Sequence, residues 1–174
     1  MTKVAINGLG RIGRAALKII LDTAQLELVA VNDIVAAENI AYLLKYDTVY
    51  GRYEKAVESD GENLVIADTA IRYFHEKDPA RLPWSSLGVD IVLECTGVFT
   101  KREDLEKHVH AGARYVVLSA PAKSDDVVTV DLPPVPAGSP PKVLITSSGV
   151  RPWTTVIVAA VLMSAALPVW SHYA

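Results

Sequence analysis

Cysteine is almost missing from this chain. Cys95 is the only one among 174 residues, which excludes an intrachain disulfide and a thiol-based metal cluster. The four histidines, His75, His108, His110 and His172, show no ligand spacing such as i, i+4 on a helix, so no metal site is expected. An excess of positive charge is lacking too. The formal net charge is −3, which gives no electrostatic reason to expect a nucleic acid partner. The first residues do not read as a signal peptide, because the apolar run after Lys3 breaks at Asn7-Gly8,. Cytoplasm is the expected compartment.

What is present suits a folded core. Apolar residues make up 51% and charged ones 21%, the balance of a globular protein. The length allows one domain with a real core and is too short for two full-sized ones.

Lys3 to Asn7 (KVAIN) reads as a short buried strand. From Ile12 the period changes: Ile12, Ala15, Ala16, Ile19 and Ile20 share one helical face, with Arg11, Arg14, Lys18 and Asp22 opposite,. Leu26 to Asn32 (LELVAVN) is the next strand, too short for a helix and rich in valine,. Ala36 to Tyr46 is a helix with Ile40, Leu43 and Leu44 on one face. Asn63–Ala67 and Ala70–Phe74 form a hairpin around Asp68-Thr69, and Val89–Glu94 is a further buried strand. Thr100-Lys101-Arg102-Glu103 has the spacing of a capping box,. The helix it opens runs to about Ala111, with Gly112 in the C′ position,. Tyr115–Leu118 is one more strand. Strands alternating with helices imply a doubly wound α/β fold: a mainly parallel sheet, right-handed crossovers, helices on both faces.

Three glycines, Gly8, Gly10 and Gly13, carry the first functional signal. In G-x-G-x-x-G the first permits a tight turn out of a strand. The second lets the backbone approach a pyrophosphate, and the third lets helix and strand pack closely. Here the motif follows a strand, opens a helix and sits in a βαβ unit of the right size, a Rossmann-type arrangement. Asp33 stands at the end of the second strand, 20 residues past Gly13. A carboxylate there accepts both hydroxyls of an adenosine ribose and repels a 2′-phosphate, so NAD is favoured over NADP. The competing reading makes Asp33 a cap for the following helix and the glycines a packing turn.

The segments AINGLGRIGR (5–14), VND (31–33), AYLLKYDTVYGRY (41–53), DPARLPW (78–84), ECTGVFT (94–100) and HAGARYVVLSAPAKSDD (110–126) resemble, in order and spacing, the cofactor domain of glyceraldehyde-3-phosphate dehydrogenase. The resemblance covers about residues 2–130; erythrose-4-phosphate dehydrogenase is a near relative that shares much of it. It implies that the backbone of Arg11 and Ile12 lies against the pyrophosphate and that Asp33 holds the adenosine ribose. Lys77 would sit near the adenine, where the family usually has arginine. Thr96 and Gly97 would line the floor under the cofactor, and Ser119 the nicotinamide side. The family's association into tetramers implies homo- or hetero-oligomers with related chains.

The resemblance stops where the family's chemistry begins. That chemistry needs a thiolate that attacks an aldehyde, a hydride transfer to NAD, phosphorolysis of the thioester, and an assisting histidine. The Ser-Cys-Thr-Thr-Asn motif that holds the thiol is replaced by TVDLPPVPAGSPPKVLITSSGVRPWTTV; with Thr154-Thr155 aligned to the threonine pair, Trp153 takes the nucleophile's place. Cys95 reads as a buried, inert residue. The expectation is an NAD-binding domain at 1–130, cut off before the catalytic residues and inactive alone. A proline-rich linker at 131–141 and a divergent apolar segment at 142–174, with a strand at Lys142–Thr146, would follow. The final segment has three open readings: a membrane anchor over Pro152–Trp170, a buried helix over Thr154–Leu167, or a frameshift product,. The functional alternatives are a non-catalytic nucleotide-binding subunit and a membrane-tethered binding module.

Overall fold

Val4, Ala5 and Ile6 have no exposed surface, because strand β1 (Thr2–Asn7) lies inside a sheet covered on both faces. A computed structural model describes residues 1–47 and 51–123. Helix α1 (Arg11–Leu21) follows β1, and β2 (Leu26–Asn32) pairs parallel beside it. Helix α2 (Ala37–Lys45) leads into two short strands, β3 (Tyr46–Asp47) and β4 (Gly51–Arg52). Then come β5 (Val57–Ser59), β6 (Asn63–Ile66) and β7 (Thr69–Phe74). A 3₁₀ turn at Pro79–Arg81 and the single-turn helix α3 (Trp84–Leu87) precede β8 (Ile91–Glu94). Helix α4 (Arg102–His110) and β9 (Tyr115–Leu118) complete the described fold.

The sheet order is β5-β6-β7-β2-β1-β8-β9. The five strands from β7 to β9 in this order run parallel, while β5 and β6 are antiparallel additions at the other end. The chain winds outward from β1 through β2 to β7, then crosses back to β8 and β9. That reversal beside β1 is a topological switch point, where ligands of open α/β sheets bind outside the carboxyl ends of the strands. The fold is the Rossmann-type α/β arrangement expected from the strand–helix alternation.

Side chains alternate between two cores. Val4 and Ile6 face one cluster with Leu17, Ile20 and Leu44, and Ala5 faces the other with Trp84, Leu82 and Val89. Register slips between Val4 and Ala5, leaving Val29 unpaired on β2. Val29 and Ala30 therefore both meet the second core, while Leu28 and Val31 meet the first, as a bulge requires. The alanines Ala5 and Ala30 leave room for the fully buried indole of Trp84.

Several local expectations need correction. Helix α1 buries Gly13, Ala16, Leu17 and Ile20, and Ile12 is 38% exposed. The helix is turned because Gly13, having no side chain, must face β1. On α2, Leu43 points outward and Ala37, Ile40, Ala41 and Leu44 point in. The β6–β7 hairpin turns on Ala67 and Asp68, both at positive φ (47° and 66°), as a type I′ turn requires. The capping box does not form. Thr100 is buried, its carbonyl accepts the Lys123 N–H at 2.9 Å, and Lys101 becomes the N-cap of α4 without a side-chain bond. Gly112 does occupy C′, its N–H donating to Val109. The linker at 131–141, the strand at 142–146 and the apolar segment that follows lie outside the described residues.

Candidate functional site

The glycine turn is built by two unusual contacts. Gly8 has φ +92°, and a Cβ there would lie 2.6–2.8 Å from the backbone of Cys95 and Thr96. Its N–H donates to the Asn32 carbonyl at 2.8 Å. At Gly13 a Cβ would stand 1.9 Å from the Gly8 carbonyl oxygen, so these two glycines are required by the protein's own packing. Gly10 differs. A Cβ there would meet nothing within 4 Å, and Gly10 is the N-cap of α1 with no side-chain cap bond. The first bond of α1 runs from the Arg14 N–H to the Gly10 carbonyl at 3.0 Å. The preceding N–H groups, of Arg11, Ile12 and Gly13, have no acceptor within the helix. Arg14 braces the turn from beside it, donating to the Leu9 carbonyl at 3.0 Å. Sequence reading placed Arg14 only on a polar face.

Asp33 closes the same turn from the next strand. Its Oδ2 accepts the Leu9 N–H at 2.5 Å and its Oδ1 the Val35 N–H at 2.9 Å. The helix-cap alternative fails, because the N-cap of α2 is Ala36. Each carboxylate oxygen keeps a free lone pair for a further donor.

The remaining candidates fall at the carboxyl ends of the other parallel strands. Lys77 follows β7, is exposed, and gives its backbone N–H to Glu76 Oε1 at 2.8 Å. Thr96 and Gly97 follow β8. The Thr96 N–H donates to Glu94 Oε1 at 2.8 Å, and its hydroxyl donates to the same oxygen. Ser119 follows β9; its N–H donates to the Glu94 carbonyl at 3.0 Å, and its hydroxyl bonds the Cys95 thiol. Gly8, Gly10, Arg11, Ile12, Gly13, Asp33, Lys77, Thr96, Gly97 and Ser119 thus come from five loops along one edge.

Beneath that edge runs a buried polar chain that the sequence reading missed. Asn7, Asn32 and Glu94 end three adjacent strands and are register partners. The Asn32 amide donates to Asn7 Oδ1 at 2.7 Å, and the Asn7 amide donates to Glu94 Oε2 at 2.6 Å. Asn32 also bridges the Glu76 backbone, accepting its N–H at 2.8 Å and donating to its carbonyl at 2.9 Å. On the other side, the Trp84 indole N–H lies 3.0 Å from His108 Nδ1. Indole can only donate, so Nδ1 accepts and the His108 proton sits on Nε2, 3.0 Å from Glu94 Oε2. One network links the loops after β1, β2, β7 and β8. The readable signal was that three apolar runs, KVAIN, LELVAVN and VDIVLE, each end on a polar residue.

Cys95 packs against the core, with burial pushing its thiol up to about 12, the Glu94 charge adding and the Ser119 bond opposing. It is a neutral thiol at physiological pH, not a nucleophile. Among the described residues, no group of three or more His, Cys, Asp or Glu side chains is placed to hold a metal, and no helix is long and apolar enough to cross a membrane.

Comparison with known proteins agrees with this geometry. Residues 2–102 match the family described as glyceraldehyde 3-phosphate dehydrogenase, NAD binding domain. The chain is 53% identical over 125 residues to the glyceraldehyde-3-phosphate dehydrogenase of Clostridium pasteurianum, covering 72% of this chain and 37% of that protein. It is 51% identical over 128 residues to that of Geobacillus stearothermophilus (74% and 38%). With glyceraldehyde-3-phosphate dehydrogenase 1 of Kluyveromyces lactis the identity is 50% over 131 residues (75% and 40%). The chain therefore spans about two-fifths of the length of these relatives. A glycine turn after β1 and a carboxylate after β2, on a sequence about half identical to these enzymes over the matched residues, place this chain in the glyceraldehyde-3-phosphate dehydrogenase family, as its NAD-binding domain.

Proposed function

We propose that NAD lies along the carboxyl edge of the sheet with its pyrophosphate over Gly10. In this reading the backbone N–H groups of Arg11, Ile12 and Gly13 face the phosphates, with the positive end of α1 behind them. Gly8 and Gly13 hold the turn in shape. Asp33 accepts the adenosine ribose hydroxyls, Lys77 flanks the adenine, Thr96 and Gly97 lie under the dinucleotide, and Ser119 borders the nicotinamide. The observation that carries the reading is the open space at Gly10 beside an Asp33 carboxylate already oriented by two backbone N–H groups. Bound NAD supplies a hydride acceptor. The chain's residues grip and orient it.

The activity carried by the relatives' names, oxidation of an aldehyde phosphate, is part of this proposal only as the setting in which the domain works. The one thiol of the chain, Cys95, is held protonated by its burial, so these residues bind the dinucleotide without by themselves attacking an aldehyde. Residues 1–130 are the binding unit in this reading. Association with other chains of the family is supported by the exposed Tyr42 and Leu43 on α2 and Tyr46 at the start of β3,. A cytoplasmic setting suits a lone, reduced cysteine. Calorimetric titration of the full chain with NAD and with NADP tests the reading. Saturable NAD binding with weaker NADP binding is expected, and NADP binding as tight as NAD would refute the role of Asp33.

A further inference from the structure

Tyr73 sits on β7 as the register partner of Val31 and is buried. Its hydroxyl donates to the Val35 carbonyl at 2.6 Å. The N–H of the same residue, Val35, donates to Asp33 Oδ1, while Asp33 Oδ2 accepts from Leu9. A continuous chain thus runs from the sheet, through the loop after β2, into the glycine turn. The loop needs such a tether. Ile34, Val35 and Ala36 are all exposed, so their apolar side chains give it little packing. Burial first, then the negative charges of Asp33 and Glu38, hold the Tyr73 phenol well above its ordinary range. The hydroxyl therefore remains a donor, and its proton is already committed to Val35.

We propose that Tyr73 is a positioning residue for recognition of the adenosine ribose: its hydroxyl holds the Val35 carbonyl, fixing the backbone whose N–H binds and so aims the Asp33 carboxylate. This rests on the reading of Asp33 as the ribose acceptor. Tyr73 touches no part of the dinucleotide. Its effect passes entirely through Asp33, so loosening the loop weakens NAD binding and also narrows the preference over NADP, whose 2′-phosphate meets a less firmly placed charge.

The test is a double-mutant cycle on the full chain, with NAD and NADP affinities measured by calorimetry for wild type, Y73F, D33A and Y73F/D33A, and unfolding midpoints measured alongside. Y73F is expected to fold normally, to bind NAD roughly threefold to tenfold more weakly, the loss of about one neutral hydrogen bond, and to discriminate less against NADP. In the D33A background the same change should cost nothing further. Wild-type affinity in Y73F, or a loss that adds fully to that of D33A, overturns the positioning role. A Y73F chain that does not fold overturns it too, because the hydroxyl would then be holding the fold and not the loop. NAD binding undiminished in D33A instead overturns the ribose reading itself, and the positioning role with it.

Discussion

The Leu9 N–H donates to Asp33 Oδ2 across 2.5 Å, joining the glycine turn to the end of β2. The glycine turn and the loop after β2 are therefore one hydrogen-bonded piece. A carboxylate oriented before the ligand arrives loses little entropy on binding it.

Replacing Asp33 with Asn keeps an oxygen for one backbone N–H and removes the charge. Charge-assisted hydrogen bonds are worth about 1.5–3 kcal/mol each, so NAD affinity should fall roughly tenfold to a hundredfold. NADP affinity should change less, since repulsion of the 2′-phosphate disappears. Calorimetry with both dinucleotides reads this directly.

Gly10 and Gly13 should separate folding from binding. G10A places a methyl group in open space at a negative φ of −64°. It is expected to leave the unfolding midpoint near wild type while weakening NAD binding. G13A forces a carbon to 1.9 Å from the Gly8 carbonyl, so it should lower the midpoint by several degrees or abolish folding. A G10A chain that binds NAD normally would mean that the pyrophosphate does not approach Gly10.

Glu94 is the hub of the buried chain. In E94A the Thr96 N–H, the Asn7 amide and the His108 Nε2–H lose their acceptor. Leaving a buried donor without its acceptor costs about 1–3 kcal/mol, a loss that urea unfolding would detect. A change below about 1 kcal/mol would argue that water replaces the carboxylate and that the loops are not tied through it.

Cys95 should mark the alkaline limb of stability. Its ordinary pKa of 9 is raised to about 12 in the fold. Above pH 9 the unfolded chain loses the thiol proton while the folded chain keeps it, so stability falls from there until the folded pKa is passed. C95A should flatten that decline in unfolding curves taken between pH 8 and pH 11, and the wild-type thiol should resist alkylation at neutral pH. Rapid alkylation of folded protein at pH 7 would contradict the burial.

The alternating pattern revealed the parallel sheet because buried strands and one-sided helices leave different periods in the sequence. Gly8 and Gly13 were readable for a related reason: backbone geometry restricts what stands there. The rotation of α1 was not, since it depends on how close Gly13 comes to β1, and Ile12 was assigned inward on period alone. Thr100 matched a local capping pattern, yet its burial and the Lys123 contact took it out of the cap position. The Asn7–Glu94–His108 chain joins residues 87 and 14 positions apart, a relation that only the assembled sheet creates. Tyr73 looked like one more aromatic in a strand until β7 was set beside β2.

The most direct measurement is a calorimetric titration of the folded wild-type chain with NAD, repeated on G10A. Saturable one-to-one binding that G10A weakens without loss of fold is the predicted result. Absence of binding by well-folded wild-type protein, or equal affinity in G10A, would contradict a dinucleotide site over the glycine turn.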